Sequence, residues 1–449
     1  EVLLNFIDEI KQNNACSLEE AIRVALKRVT GAYVILLLDA ENPNTIIAAR
    51  KGSPLVIGVG KGEHFLGSDA SPMLEYTKEV VYVNDYELAI VKPDELILKN
   101  LGNEKLTPYV QKLDLELAAI EKGGYDHFQF DITGFLSKEQ KHEIKIVVWD
   151  PTNEGSQPIG KQALPAIRNV TKYTATSGIW QTVWLEPINE VAIESIKIIP
   201  NIDNGTISLQ TKVVGATQGA RIKIQAFDQG KEIASSIAAL GEPVSLQLNQ
   251  PKLWSPTNPF LYDLKLSLIN DRKVVDEVSS YFGMRKISMA RDNEGYMRIF
   301  LNNEIIYQLG PLDQGYWPDG ILTPASDQAL RYDIAYLKKI GANMDRMHMK
   351  VQPERWYYHC DQLGILVWQD MVSPTKFIAA KSNKDSSDFE LEHNLTVDQL
   401  YNHPSIIQWV LFNESWGQYD TERLTAALKA KDPSRLVINA SGWNDKQVG

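Results

Sequence analysis

The stretch NMDRMHMKVQPERWYYHCDQLGILVWQD, residues 343–370, carries the pattern that decides the fold. It opens on a strand signal over 343–348. Pro353 then stands where a first helical residue tolerates a missing N–H, the helix carries Trp356, Tyr357 and Cys360, and Gly364 ends it. A second strand comes at once over 365–369. Strand, helix, strand is the repeat of a parallel α/β sheet, and it recurs on both sides. Upstream, a strand over 305–309 precedes a helix capped by Ser326, whose Leu330, Ile334, Leu337 and Ile340 share one face. Downstream, a helix precedes Pro404, the run 406–412 is almost continuously apolar, and 436–440 makes a fifth strand. Strands this apolar belong in a parallel sheet covered on both faces. Residues 287–449 therefore predict the N-terminal part of an incomplete (β/α)8 TIM barrel, a fold that usually takes ~250 residues.

The rest of the chain has a different texture. Residues 189–286 alternate apolar and polar over 193–199, 207–213, 221–227, 244–248 and 262–268, with turns such as Asn204-Gly205, the pattern of an immunoglobulin-like β-sandwich. Residues 123–188 hold further strand signals over 143–149 and 179–185. Residues 1–122 mix helix and strand. Ser17 and Glu20 form a capping box for a helix over 18–28, strands come next over 33–38, 45–50, 55–58 and 80–83, and a connecting helix is expected over 108–120. The fold class is thus multidomain: α+β, then all-β, then α/β.

A length of 449 residues allows about three domains, and 44% hydrophobic with 23% charged residues is an ordinary globular balance. The net charge of −11 would repel phosphate backbones and anionic membranes, so no nucleic-acid or membrane partner is expected. The longest apolar run, 32–38, is far short of a bilayer span. Cys16 and Cys360 fall in different modules and are read as small buried apolar residues, not a disulfide. The seven histidines show no metal spacing, so no metal or cofactor is expected. Glu1 begins an amphipathic helix with no basic leader and no methionine, from which the true N-terminus is expected to be missing; compartment and oligomeric state stay open.

Functional side chains of a barrel gather at the C-terminal ends of its strands. That rule selects Asp313 after the first strand, Arg346 and His348 at the second, Asp370 at the third, Asn413 and Glu414 at the fourth, and Ser441 and Trp443 after the fifth. Trp416 joins them as an aromatic face for a sugar ring, as does Trp443.

These residues lie in FDITGFL (130–136), VVWDPTNEGSQPIGKQ (147–162), SGIWQTVWLEP (177–187), YFGMRKI (281–287), LDQGYWPDG (312–320), GANMDRMHMK (341–350), PERWYYHCDQLGILVWQDM (353–371) and WVLFNESWGQ (409–418), or come after them. In this order the stretches resemble glycoside hydrolase family 2, which includes β-galactosidases, β-glucuronidases and β-mannosidases, from about residue 123 to 449. The resemblance implies a partial jelly-roll sugar-binding domain over 123–188. It also implies a carbohydrate substrate and a retaining mechanism with Glu414 as acid/base, its pKa raised by burial beside Trp409, Phe412 or Trp416. Asn413 would bond the sugar 2-hydroxyl, and Arg346 and His348 would orient carboxylates and hydroxyls. The family's nucleophile lies on a later strand, about the seventh, and no residue up to Gly449 matches its motif, so little or no turnover is expected. A non-catalytic carbohydrate-binding relic is the alternative.

Residues 31–85 and the linker EKGGYDHF (121–128) resemble the end of the Ntn-type glutaminase domain of glucosamine-6-phosphate synthase, over about residues 1–127. That family attacks glutamine with an N-terminal cysteine, whereas residue 1 is Glu1, so no glutaminase activity is expected; a fragment of an amino-sugar synthase is the third reading. The chain is read as a chimera joined near residues 123–128.

The bland readings stand beside these. VIGVGKGEHF (56–65) is a turn, since no GK[ST] follows its glycines. Asp313 and Asp370 could equally stabilise loops, Trp416 and Trp443 could be core aromatics, and Glu414 could cap the following helix.

Overall fold

The computed structural model describes residues 2–39, 42–68, 70, 73, 76–112, 124–136, 142, 144–150, 157–163, 173–215, 219–372 and 383–449. They divide into two compact units: Glu1–Ile120 with Phe130–Val147, and Glu121–Gln129 with Val148–Gly449.

In the first unit, helices Val2–Asn14 and Leu18–Leu26 cover one antiparallel sheet. The Ser17 hydroxyl accepts from the Glu20 N–H at 3.2 Å, as a cap should, while the Glu20 carboxylate turns to Arg23 instead of completing the box. The sheet runs in the order Tyr33–Asp39, Asn42–Lys51, Glu87–Lys92, Glu95–Asn100, Lys105–Leu106. Strand periodicity splits it: Ile47, Ala49, Leu88 and Ile90 face the helices, while Ala48, Ala89 and Val91 meet Leu55, Ile57 and Val81 of a second, four-stranded sheet. Gly60 and Gly62 form the expected turn of a hairpin in that sheet, with the Gly60 N–H on the Glu63 carbonyl. The helix expected over 108–120 is absent where the chain is described. Residues 108–110 are irregular and Gln111–Lys112 is an edge strand, its Gln111 opposite Val80, so sheet pairing wins over local helical pattern; residues 113–120 lie outside the described residues.

The second unit contains a β-sandwich. One sheet holds Ala192–Asn201, Thr206–Val214 and Val244–Gln247; the other holds Lys231–Ala239, Arg221–Asp228, Tyr262–Asn270 and Lys273–Phe282. Ile207, Leu209 and Leu246 pack against Ile222, Ile224, Leu264 and Leu266 between them. Gly205 turns the first hairpin at φ +72°, where a Cβ would also lie 2.9 Å from the Leu248 carbonyl.

The strands expected over 143–149 and 179–185 do not form at the described positions 144–149 and 179–185. Among the described residues these segments have no neighbouring strand to accept their backbone groups, and Trp149, Val183, Trp184 and Leu185 are exposed. Between 148 and 188 the described pairing is one short parallel pair, Gln162–Ala163 with Tyr173–Thr174.

The parallel sheet has five strands in chain order, Leu312–Asp313, Met344–Met347, Leu366–Asp370, Ile406–Asn413 and Leu436–Ser441, each parallel to the next. Helices Asp327–Lys339, Glu354–Leu363, Asn383–Leu400 and Thr421–Lys431 connect them. Ser326 caps the first helix through the Ala329 N–H, and Gly364 ends the second at φ +72°. Pro353 is the cap before that helix, not its first residue. Every residue of Ile406–Asn413 is buried, as a strand covered on both faces requires. The first strand is not 305–309 but Leu312–Asp313. Glu304–Ile305 instead closes a hairpin with Met297–Leu301, and Leu309 is held by Asn343 through both its N–H and its carbonyl.

Sandwich and parallel sheet interlock inside this unit. The buried Arg285 guanidinium donates to the carbonyls of Pro404, Ser434 and Ile406 at 2.9–3.0 Å. Asp361, fully buried, accepts from the Tyr281 hydroxyl at 2.7 Å, the His403 ring at 2.7 Å and the Ser405 N–H at 2.9 Å. Asp361→Ala removes the carboxylate that these three donors share, leaving the Ser405 N–H without its acceptor and Tyr281 and His403 with only each other at 3.2 Å, and should lower unfolding free energy by about 2–4 kcal/mol in urea denaturation. A loss below about 1 kcal/mol would contradict this role.

Candidate active site

The C-terminal ends of the five strands bring most of the selected side chains together. Arg346, at the end of the second strand, reaches along the sheet edge and binds three other strands. Its Nε and Nη2 donate to the two oxygens of Asp370, each at 2.9 Å, Nη2 also to the Asn413 Oδ1 at 3.0 Å, and Nη1 to the Ser441 hydroxyl at 2.9 Å. The fork geometry of a guanidinium suits such a bidentate pair; lysine would not replace it. His348 adds its Nδ1 to the Asp370 Oδ2 at 2.5 Å. Because an ionised carboxylate only accepts, the His348 Nδ1 is the donor of this bond. Asp370 is thus an anchor with both oxygens occupied.

Glu414 comes immediately after Asn413 and turns the chain out of the sheet. Its N–H makes the last bond of the strand, to the Ser441 carbonyl at 2.9 Å, while Glu414 and Ser415 both take positive φ, 50° and 64°. Two consecutive left-handed residues other than glycine store strain that surrounding contacts must hold. Gly442 allows the side chain its place: a Cβ there would come within 3.2 Å of the Glu414 Cγ. The aromatic neighbours divide. Trp409 is bound to Asp432 through its Nε1 at 2.8 Å, and Phe412 stacks on Phe389 at 5.4 Å, so both belong to the core. Trp416 is buried beside the turn, whereas Trp443 is 56% exposed and joins none of the described contacts. Asp313 shapes a loop: its Oδ1 accepts the Gly315 N–H at 2.7 Å, its carbonyl accepts the His348 N–H at 2.7 Å, and burial pushes its carboxyl up.

Two lysines at this edge escape a reading of strand ends. Lys161 comes from the segment before the sandwich, 6% exposed, with its ammonium 4.8 Å from the Trp416 ring centre. Lys350, two residues past His348, is fully buried; its Nζ donates to the carbonyls of Gly315 and, at 2.9 Å, Leu322, and lies 5.3 Å from the Trp180 ring. Burial pushes the Lys350 ammonium down from 10.5 to about 7. Charging this amine therefore weighs on the folded state fully below about pH 7, and the penalty lifts as pH rises toward 10.5. Between those limits wild-type unfolding free energy should rise relative to Lys350→Met, which has no proton to lose there. Parallel pH profiles in urea denaturation would contradict this.

Two family models match the chain: glycosyl hydrolases family 2 over residues 191–285, and the glycosyl hydrolases family 2 TIM barrel domain over residues 324–448. A protein of Formosa agariphila with the name "Putative beta-glucuronidase" is 28% identical over 334 residues, 71% of this chain and 30% of that protein. The glutamine–fructose-6-phosphate aminotransferase (isomerizing) of Bacteroides thetaiotaomicron is 50% identical over 129 N-terminal residues, 28% of this chain and 21% of that protein. An FMN-binding β-glucuronidase from Facaelibacterium prausnitzii L2-6 superimposes with a TM-score of 0.49 and 23% identity, over 56% of this chain and 41% of that one. The chain spans less than a third of either curated relative. Behind a segment similar to a glutamine–fructose-6-phosphate aminotransferase, one polypeptide thus carries two stretches that match models of glycosyl hydrolases family 2, the second of them the model of its TIM barrel domain.

Proposed function

We propose that residues 123–449 serve hydrolysis of β-linked sugars by a retaining mechanism in which Glu414 is the acid/base. The carrying observation is the strained turn at Glu414, fixed to the sheet by its own N–H and by the Arg346 grip on the preceding Asn413. A general acid must meet the glycosidic oxygen at hydrogen-bond distance, and a group held by the backbone of a buried strand is ready for that without reorganisation. With Asn413 Oδ1 occupied by Arg346, its amide N–H groups remain to donate to a sugar 2-hydroxyl, a bond that strengthens as oxocarbenium character develops. The sandwich, read as immunoglobulin-like, and the five-stranded part of a barrel then support the site from below.

Retention needs a second carboxylate ~5–5.5 Å from the first. Asp370 is poorly suited to attack, with both oxygens already bonded to Arg346 and His348. The 449 residues on their own should therefore show little or no release of nitrophenol from aryl β-glycosides. Robust turnover that Glu414→Gln abolishes would overturn this inactivity while keeping the acid. In a polypeptide that also carries the remaining barrel strands, Glu414→Gln should cut kcat/KM about 10²–10⁴-fold for poor leaving groups and much less for dinitrophenyl glycosides, which leave without protonation. Equal losses for both would refute general-acid catalysis.

The similarity of the N-terminal residues to an aminotransferase favours a second reading for that unit alone, as a piece of a glutamine-dependent amino-sugar synthase joined to the glycosidase part. Ammonia release from glutamine by the 449-residue chain would support activity there.

A further inference from the structure

A groove of about 350 Å³ opens on the β-sandwich, and none of its described lining comes from the parallel sheet. It lies where the hairpin between Arg221–Asp228 and Lys231–Ala239 meets the connection 249–252. Small-ligand sites span about 300–1,000 Å³ and are mostly apolar, whereas this one is polar. Carbon surface comes chiefly from Ile233, 41% exposed, and from the ring of Tyr262.

Tyr262 is 3% exposed and rigidly held, stacked on Phe282 with ring centres 5.1 Å apart and met edge-on by Phe260 at 4.8 Å. Its hydroxyl accepts the Lys252 N–H at 2.7 Å. Burial pushes the phenol up, so the proton stays on, and among the described residues that proton has no acceptor. Beside it the Asp228 Oδ2 takes the Lys252 ammonium at 2.7 Å, while Oδ1 bonds to none of the described donors. The side-chain amides of Asn249 and Gln250 are likewise uncommitted among the described residues, and both are exposed. Gln250 stands at φ +47°, a conformation that glycine adopts freely, and its amide makes no bond in the fold in return for that strain.

The charges of the lining cancel. Asp228 and Glu232 face Lys231 and Lys252, so neither an anion nor a cation is favoured. What remains is a fixed donor, an open carboxylate oxygen, two amides that both donate and accept, and a small apolar spot. Sugar hydroxyls donate and accept in the same way, and the C–H face of a pyranose ring suits the apolar spot. We propose that this groove is a non-catalytic binding site for a neutral saccharide, with Tyr262, Asp228, Asn249 and Gln250 as its polar contacts. The site goes beyond the hydrolytic reading and does not depend on Glu414.

Isothermal titration of the 449-residue chain with cellobiose, lactose and xylobiose, three neutral β-linked disaccharides, tests this. At least one should bind, with an affinity that salt from about 0.05 to 0.5 M leaves unchanged. Tyr262→Phe, which keeps the ring and removes the donor, should weaken that binding about tenfold, and Asn249→Ala at least about fivefold. Gln250→Gly should raise the melting temperature and still weaken binding, a pairing that a purely structural role would not produce. Asn413→Ala, at the strand ends, should leave the affinity unmoved. Binding that survives Tyr262→Phe combined with Asn249→Ala, or falls with Asn413→Ala instead, would place the sugar elsewhere, overturn the groove and spare the glycosidase reading. Failure of all three sugars to bind a folded wild type would also overturn the groove, while the aryl glycoside assays still decide the role of Glu414.

Discussion

The candidate site depends on one guanidinium. Arg346 spends its donors on Asp370, Asn413 and Ser441, so a single side chain from the second strand fixes the ends of the third, fourth and fifth. Such a cation could not be left partly buried without partners, and Asp370 matches it as a bidentate carboxylate. The rest of the sheet edge takes its geometry from this pair. Asn413 is turned so that its amide N–H groups are available, the His348 ring is oriented by the same carboxylate, and the backbone leaves the sheet at Glu414 in a conformation that an unsupported chain would avoid.

The scaffold beneath uses the same device. Arg285 from the end of the sandwich takes three carbonyls at the N-terminal ends of the parallel strands, and Asp361 gathers Tyr281, His403 and Ser405. The two ends of the sheet thus differ in purpose: at one, buried polar groups join modules, and at the other they orient groups with chemical potential. Trp254 shows how tightly the joint is made, its indole N–H on the Asp361 carbonyl at 2.8 Å.

Much of this was legible in the sequence, for local reasons. A serine before an amphipathic run, a glycine after one and the apolar run 406–412 each carry their own conformational preference, and each formed as expected. Strand ends then named Arg346, His348, Asp370, Asn413 and Glu414 as neighbours. Failures came where distant partners decide. Residues 305–309 read as a barrel strand, yet a hairpin claims Ile305 and Asn343 claims Leu309. Residues 144–149 and 179–185 have strand composition without a neighbouring strand among the described residues, and 111–112 joined a sheet against a helical pattern. Lys161 sits in the stretch VVWDPTNEGSQPIGKQ, but nothing local says that Gly160 brings it beside Trp416. The strand Lys231–Ala239 escapes a reading of apolar alternation because its exposed face carries Ile233 and Ile237 while its inner face carries small residues.

If Arg346 holds the acid turn, its loss must loosen that turn before it loosens the sheet. Amide hydrogen exchange of Arg346→Met reads this most directly, through the Glu414 and Trp416 N–H groups, which bond to Ser441 and Asn413. Protection at these two amides should fall about tenfold or more, while the Met371 N–H, bonded to Val410 in the sheet, keeps its wild-type rate. Unchanged protection at Glu414 and Trp416 would contradict the account, because the turn would then be standing without the guanidinium.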